Sequence, residues 1–172
     1  MIPKKTRPVF DSGYIFAHKY KILKLLGQGG YGDIYSVEDI SANQDPDAPK
    51  AIYAMKTESI HAGKKGLNED ITFLADLQKS PYFPRMYERG MTQTHRYLIM
   101  ELLGPSISNT RRQMPQHKFS VGTTLRIGIF MLECIKVFHE HGFVHRDVKP
   151  GNFLIRSANH PTDNMDIQMN NS

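Results

Sequence analysis

Three stretches of this sequence carry residue types that could act together on a phosphate-bearing substrate. Gly27-Gln28-Gly29-Gly30-Tyr31-Gly32 fits the spacing G-x-G-x-x-G. Where side chains are missing, backbone N–H groups can come close to phosphate oxygens. The same spacing serves a plain hairpin turn that needs positive φ, and it also opens the dinucleotide-binding fold, where a helix must follow. Here Asp33 to Val37 (DIYSV) follows and alternates polar and apolar residues as a strand does, so the glycines join strand to strand. Lys56 closes an otherwise apolar strand, AIYAMK. Its ammonium must either escape to solvent or meet an anion inside a cleft. Finally, Phe143 to Ile155 reads FVHRDVKPGNFLI, which sets a carboxylate (Asp147), an ammonium (Lys149) and a carboxamide (Asn152) in one short loop. Those are a base for a hydroxyl proton, a cation for anionic charge and a neutral oxygen suited to a metal ion.

Such groups are useful only if the chain gathers them. Tyr20 to Leu26 (YKILKLL) predicts a strand before the glycines, and Ala51 to Lys56 predicts a third after the loop Ser41 to Lys50. Leu67 to Gln78 places Ile71, Leu74 and Leu77 at helical spacing, and Arg85 to Arg89 and Arg96 to Leu102 complete a five-strand, one-helix unit. From Ser106 the pattern becomes helical, with a short helix near Ser106 to Gln113 and a long one from Val121 to His141. The expected organisation is a lead-in over 1–19, a sheet-rich unit over 20–104, a helical unit over 105–156 and a polar, poorly ordered tail over 157–172. The class is α+β with an antiparallel sheet.

The 172 residues are 40% hydrophobic and 23% charged, which suits one or two packed domains and excludes wholesale disorder and fibrous repeats. One cysteine, Cys134, can form neither an internal disulfide nor a Cys-rich zinc site. No apolar run approaches the roughly 18 to 20 residues of a membrane span, and the first residues lack a secretory apolar core, so the expectation is a cytoplasmic or nuclear protein with no membrane partner. The net charge of +5 is scattered in pairs such as Lys64-Lys65 and Arg111-Arg112, with no block specific for nucleic acid.

Taken in order, the glycine turn, Lys56 and H-R-D-x-K-x-x-N resemble the eukaryotic protein kinases. The stretches AMKTES (Ala54 to Ser59), MELLGPSI (Met100 to Ile107), FSVGTTLRIG (Phe119 to Gly128) and HRDVKPGNFLI place the likeness in the casein kinase I superfamily, on its tau-tubulin kinase-like branch. The resemblance runs from about Tyr20 to Ile155. It implies a bilobal fold and transfer of phosphate from ATP, with Mg2+, to Ser or Thr of a protein substrate, often acidic or pre-phosphorylated. Asp147 would take or orient the hydroxyl proton, Lys149 would neutralise the γ-phosphate and Asn152 would hold magnesium. Gly27, Gly29, Gly32 and Lys56 would hold phosphates, with Lys56 paired to a helix carboxylate, either Asp70 or Glu69. Leu26, Ile34 and Ala54 would clamp adenine, Met100 would close the back of its pocket, and Glu101 and Leu103 would meet it through their backbone.

The D-F-G sequence and activation segment that the family carries do not follow Asn152. Asp166 lies at a comparable distance, yet Ile167-Gln168 follow it, so Asp163 and Asp166 read as solvated tail residues. The expectation is therefore the amino-terminal portion of such a kinase, truncated before D-F-G and of low or no activity by itself. The alternative is a non-catalytic pseudokinase that binds nucleotide or a partner. The long helix is apolar on nearly every side, at Leu125, Ile127, Ile129, Phe130, Met131, Leu132, Ile135, Val137 and Phe138. If three or four of these stay wet, the forgone burial is on the order of 5 to 10 kcal/mol.

Overall fold

The computed structural model describes residues 10–29, 32–41, 49–62, 66–156 and 167–169. Gly30, Tyr31, most of the Ser41 to Lys50 loop, Asp163 and Asp166 lie outside the described residues. Six strands, β1 (Ile15–Phe16), β2 (Tyr20–Gly29), β3 (Gly32–Asp39), β4 (Ile52–Ser59), β5 (Met86–Met91) and β6 (His95–Met100), form one antiparallel sheet in the order β1-β2-β3-β4-β6-β5. Helix α1 (Gly66–Asp76) follows β4, and α2 (Ile107–Gln113) and α3 (Val121–Glu140) follow the sheet. A second, two-stranded sheet pairs β7 (Phe153–Ile155) with β8 (Ile167–Met169).

Alternation along the strands sorts side chains between two cores. Tyr97 and Ile99 of β6 join Phe16, Tyr20, Tyr35 and Met55 on one face, while Leu98 and Met100 face Leu67 and Leu74 of α1 and Ile127 and Phe138 of α3. The same rule puts Lys56 on the α1 side with Ala54. The sheet curls until its edges meet. Glu88 of β5 accepts hydrogen bonds from Lys19 Nζ at 2.6 Å, Tyr20 Oη at 2.7 Å and Tyr97 Oη at 2.8 Å. Burial opposes ionisation of Glu88, but these donors outweigh it and hold its carboxyl below the usual value.

Two expectations need correction. The lead-in is part of the sheet unit: β1 is a sixth strand, and Phe10 and Phe16 pack in the aromatic core. The tail is not uniformly unstructured either, because Ile167–Met169 form β8 and Met169 is buried. A three-residue strand amid Asn and Asp leaves no periodicity to read.

The long helix behaves as its composition implies. Ile127, Cys134 and Phe138 are buried on the core, whereas Val121, Leu125, Ile129 and Leu132 are 78, 64, 57 and 67% exposed. At about 100° per residue those four lie within roughly 80° of arc, opposite the buried set. Burial pushes the Cys134 thiol up to about 12, so it is a packing residue. Among the described residues no helix is long and apolar enough to cross a membrane. The bare stripe predicts that the full chain binds a hydrophobic dye and self-associates at tens of micromolar. Leu125→Gln/Ile129→Gln/Leu132→Gln should abolish both while keeping the far-ultraviolet helical signal. A monodisperse wild type with no dye binding at that concentration would refute this.

Candidate active site

The glycine turn lies between β2 and β3, and two register shifts in β2, at Ile22/Lys24 and Leu25/Gly27, bend the strand there. The glycines differ in what they do. Gly32 has φ +125°, and a Cβ on it would sit 2.1 Å from the Thr57 carbonyl oxygen, so packing of β3 on β4 demands it. A Cβ on Gly27 or Gly29 would meet nothing within 4 Å. Protein packing does not require those two to be bare, which leaves room for a ligand to approach the backbone.

Lys56 is 4% exposed and its Nζ lies 2.5 Å from Asp70 Oδ2. The partner is therefore Asp70; Glu69, next along α1, is exposed. Burial pushes the Asp70 carboxyl up, and the Lys56 charge offsets only part of that. The shorter aspartate reaches because α1 sits close to β4: the Leu67 N–H donates to Glu58 Oε1 at 3.3 Å, pinning the start of the helix.

The loop before β7 is built differently, in the open. Lys149 Nζ donates to Asp147 Oδ2 at 2.6 Å, and Asn152 Nδ2 donates to Asp147 O at 2.8 Å and Oδ2 at 3.1 Å. The Lys149 and then the Asn152 hydrogen bonds hold the Asp147 carboxyl below its usual value, so it is an ionised acceptor. His145 is buried against Phe138, and its Nδ1 accepts the Asp147 N–H at 3.3 Å. Arg146 adopts φ +62°, a conformation that costs a non-glycine residue free energy and that the surrounding contacts must enforce.

A cleft of about 500 Å³ separates the two parts. Leu26, Gly27, Ile34 and Ala54 line one side; Met100, Glu101 and Leu103 line the back; Gly151 and Leu154 line the other side. Lys56 and Asp70 line a small adjoining cavity that shares Met100 and Pro84 with the cleft. The size and apolar walls suit a planar heterocycle.

The family model described as protein kinase domain matches residues 20–167. This chain belongs to the protein kinase family. It is 35% identical over 146 residues to a probable serine/threonine-protein kinase of Dictyostelium discoideum, covering 85% of this chain and 28% of that one. It is 34% identical over 158 residues to the serine/threonine-protein kinase spe-6 of Caenorhabditis elegans, covering 88% and 40%. It is 31% identical over 155 residues to the casein kinase I homolog RAG8 of Kluyveromyces lactis, covering 90% and 27%. The chain thus spans well under half the length of these relatives.

Within this kinase domain the structure gathers most residues singled out in the sequence. Gly27, Gly151 and Leu154 border one cleft, and Asp147, Lys149 and Asn152 form one hydrogen-bonded cluster. Gly29 and Gly32 are not on the cleft wall. Sequence reading missed Leu154, which the apolar FLI run could have signalled, and the Glu101 side chain. That carboxylate accepts from Arg156 Nε at 3.0 Å and the Arg85 N–H at 3.2 Å, bracing the back of the cleft.

The buried pair makes a graded prediction. Asp70→Ala leaves Lys56 buried without its counter-charge and should cost about 3 to 5 kcal/mol. Asp70→Glu adds a methylene to a close contact and should cost about 1 to 3 kcal/mol. Glu69→Ala should stay within about 0.5 kcal/mol. Urea denaturation of the dilute full chain measures all three; a Glu69 variant as damaging as the Asp70 variants would reverse the assignment.

Proposed function

We propose that the cleft binds ATP and that the protein to which this sequence belongs is a serine/threonine kinase of the casein kinase I type, on the tau-tubulin kinase-like branch. The observation that carries the reading is one cleft bordered by the glycine strand at Gly27 and by the Asp147 loop at Gly151, with a buried ammonium, Lys56, beside it. Adenine would lie between Leu26, Ile34 and Ala54 on one side and Leu154 on the other, with the Glu101 to Leu103 backbone at its edge. Bound ATP supplies the phosphoryl group, and Mg2+ neutralises charge on its phosphates.

The rest is the work of the chain. Lys56, oriented by Asp70, would grip phosphate oxygens. Asp147, kept ionised by Lys149 and Asn152, would accept the proton of a substrate Ser or Thr hydroxyl, or orient that hydroxyl. Lys149 stands two residues from the base, where it can turn its charge toward the transferred group. Asn152 has committed its amide nitrogen to Asp147, so the metal-binding atom would be Oδ1.

No D-F-G follows Asn152 in these 172 residues. In kinases that aspartate is the main magnesium ligand. These 172 residues alone are therefore proposed to bind nucleotide and to transfer phosphate slowly or not at all. An aspartate, Asp70, as the partner of Lys56 favours a second reading, a pseudokinase whose cleft binds without turnover. Substrates are proposed to be acidic or pre-phosphorylated proteins.

Titration with a fluorescent ATP analogue should give saturable binding that Lys56→Met weakens at least about tenfold and Asp147→Asn leaves unchanged. Absence of binding would end the reading. With an acidic protein substrate, any labelling by wild type should fall about 10²- to 10⁴-fold in Asp147→Asn. Equal labelling by the two would leave only the non-catalytic form.

A further inference from the structure

The aromatic face of the sheet, turned away from the cleft, carries a line of contacts that begins in the lead-in and ends at the root of the glycine turn. The Phe10 ring packs on Tyr14, Phe16, Tyr35 and His95, with centroids 5.1, 5.2, 5.8 and 5.0 Å away. Its backbone N–H donates to Tyr35 Oη at 3.2 Å, and the Tyr35 hydroxyl donates in turn to Asp33 Oδ2 at 3.4 Å. Asp33 directly follows Gly32 and pairs with Gln28 across the turn; its neighbour Ile34 pairs with Gly27. Ile34 and Gly27 both line the cleft. Asp33 is therefore the point where the outer face of the sheet meets the cleft wall.

The Asp33 side chain is 5% exposed, and its Oδ1 has no hydrogen-bond partner among the described residues. Burial pushes the Tyr35 phenol up, so its O–H stays intact as a donor to the other oxygen. Thr57 Oγ1 donates at 3.3 Å to the Asp33 backbone carbonyl and leaves the carboxylate alone. His95 closes the same pocket: burial lowers its imidazole below the ordinary value, and the Asp33 charge opposes that. Among the described residues, removing the Tyr35 hydroxyl leaves a buried carboxylate with neither oxygen hydrogen-bonded. Such a group is costly, and its relief is to turn outward to water. Asp33 cannot do so without disturbing Gly32, whose backbone packs on the Thr57 carbonyl, or Ile34 on the cleft wall.

We propose that Phe10 and Tyr35 are positioning residues for nucleotide: they hold Asp33, and through it the glycine turn, where its bare amides meet phosphate. This rests on the reading of the cleft as an ATP site. The lead-in is then a tether as well as the start of the sheet. A turn held in place before binding has less freedom to lose when ligand arrives, so the tether raises affinity without touching the ligand. The effect is selective. Adenine is gripped largely from other elements, by Ala54, Met100 and Leu154, whereas the phosphates answer to the turn. Loosening the tether should cost affinity for a triphosphate and spare the bare nucleoside.

The test uses the full chain, a fluorescent ATP analogue, and adenosine measured by displacement of that analogue. Tyr35→Phe keeps the ring and removes the hydroxyl; it should weaken the analogue about fivefold while adenosine stays within about twofold. Phe10→Ala should weaken the analogue about threefold with the same selectivity, and Phe10→Tyr, which retains the ring, should restore wild-type affinity. Tyr20→Phe is the control. It removes a hydroxyl from the same aromatic core at the opposite end of β2, where it serves Glu88, and should leave both affinities unchanged. Without ligand, hydrogen–deuterium exchange should quicken across residues 25–34 in Tyr35→Phe and Phe10→Ala and keep its wild-type rate across α1. Equal losses for adenosine and the analogue, the same losses in Tyr20→Phe, or unchanged exchange across residues 25–34 would overturn the proposal. A wild type that binds neither ligand would end the ATP reading, and the exchange rates would still decide whether the lead-in holds the turn.

Discussion

A single ammonium buried under a helix constrains the geometry of everything around it. Lys56 cannot leave water without a counter-charge, because the desolvation penalty of an isolated ion exceeds any packing gain. The carboxylate that answers it sits on α1, so the rotation of that helix is tied to the register of β4. A slip of one residue in β4 would turn Lys56 into the aromatic core now occupied by Met55, Tyr35 and Tyr97. The raised Asp70 carboxyl shows that the pair is held against its own desolvation. Its contribution is therefore better understood as position than as stability: it keeps a cation at a fixed height beside the cleft.

The opposite wall achieves precision by other means. Asp147 lies in an exposed loop, where no burial cost forces its partners into place. Its geometry comes from beneath: His145 rests on Phe138 of α3, and Asn152, buried, reaches back to the Asp147 carbonyl. The loop is then joined to the back of the cleft. Gly104 N–H donates to Ile155 O at 2.8 Å, Ile155 N–H donates to Pro105 O at 3.1 Å, and Arg156 reaches Glu101. A Cβ on Gly104 would stand 2.8 Å from Ile155 O, so the close approach depends on a glycine there. The sheet and the loop are thus two separately folded walls laced together along one seam.

What could be read from the sequence follows from these mechanisms. Strands such as AIYAMK and RYLIMEL have one or both faces buried, and their apolar patterns make them visible. The loop HRDVKPGN was legible because its chemistry is carried by residue types at fixed local spacing. The partner of Lys56 was not, since Glu69 and Asp70 differ by about 100° of helix rotation and only docking of α1 decides between them. β1 was hidden by its length of two residues, and the core roles of Phe10 and Phe16 by the polar residues around them. Glu101 showed as part of the strand end, but its brace to Arg156 joins residues 55 apart in sequence, which no local pattern encodes.

β8 connects these themes. Its backbone is fixed twice, by pairing with β7 and by the Met169 N–H donating to Tyr82 O at 3.0 Å. Its side chain Met169, 2% exposed, lines the small cavity that also holds Lys56 and Asp70. A polarizable, apolar thioether at that place excludes water from the pair and helps to keep Asp70 desolvated. β8 therefore sits against the buried ammonium. Charge on α1, register on β4 and the position of β8 are coupled through one pocket, so a polar side chain at residue 169 would act on the Lys56 pair without touching either the glycine turn or Asp147.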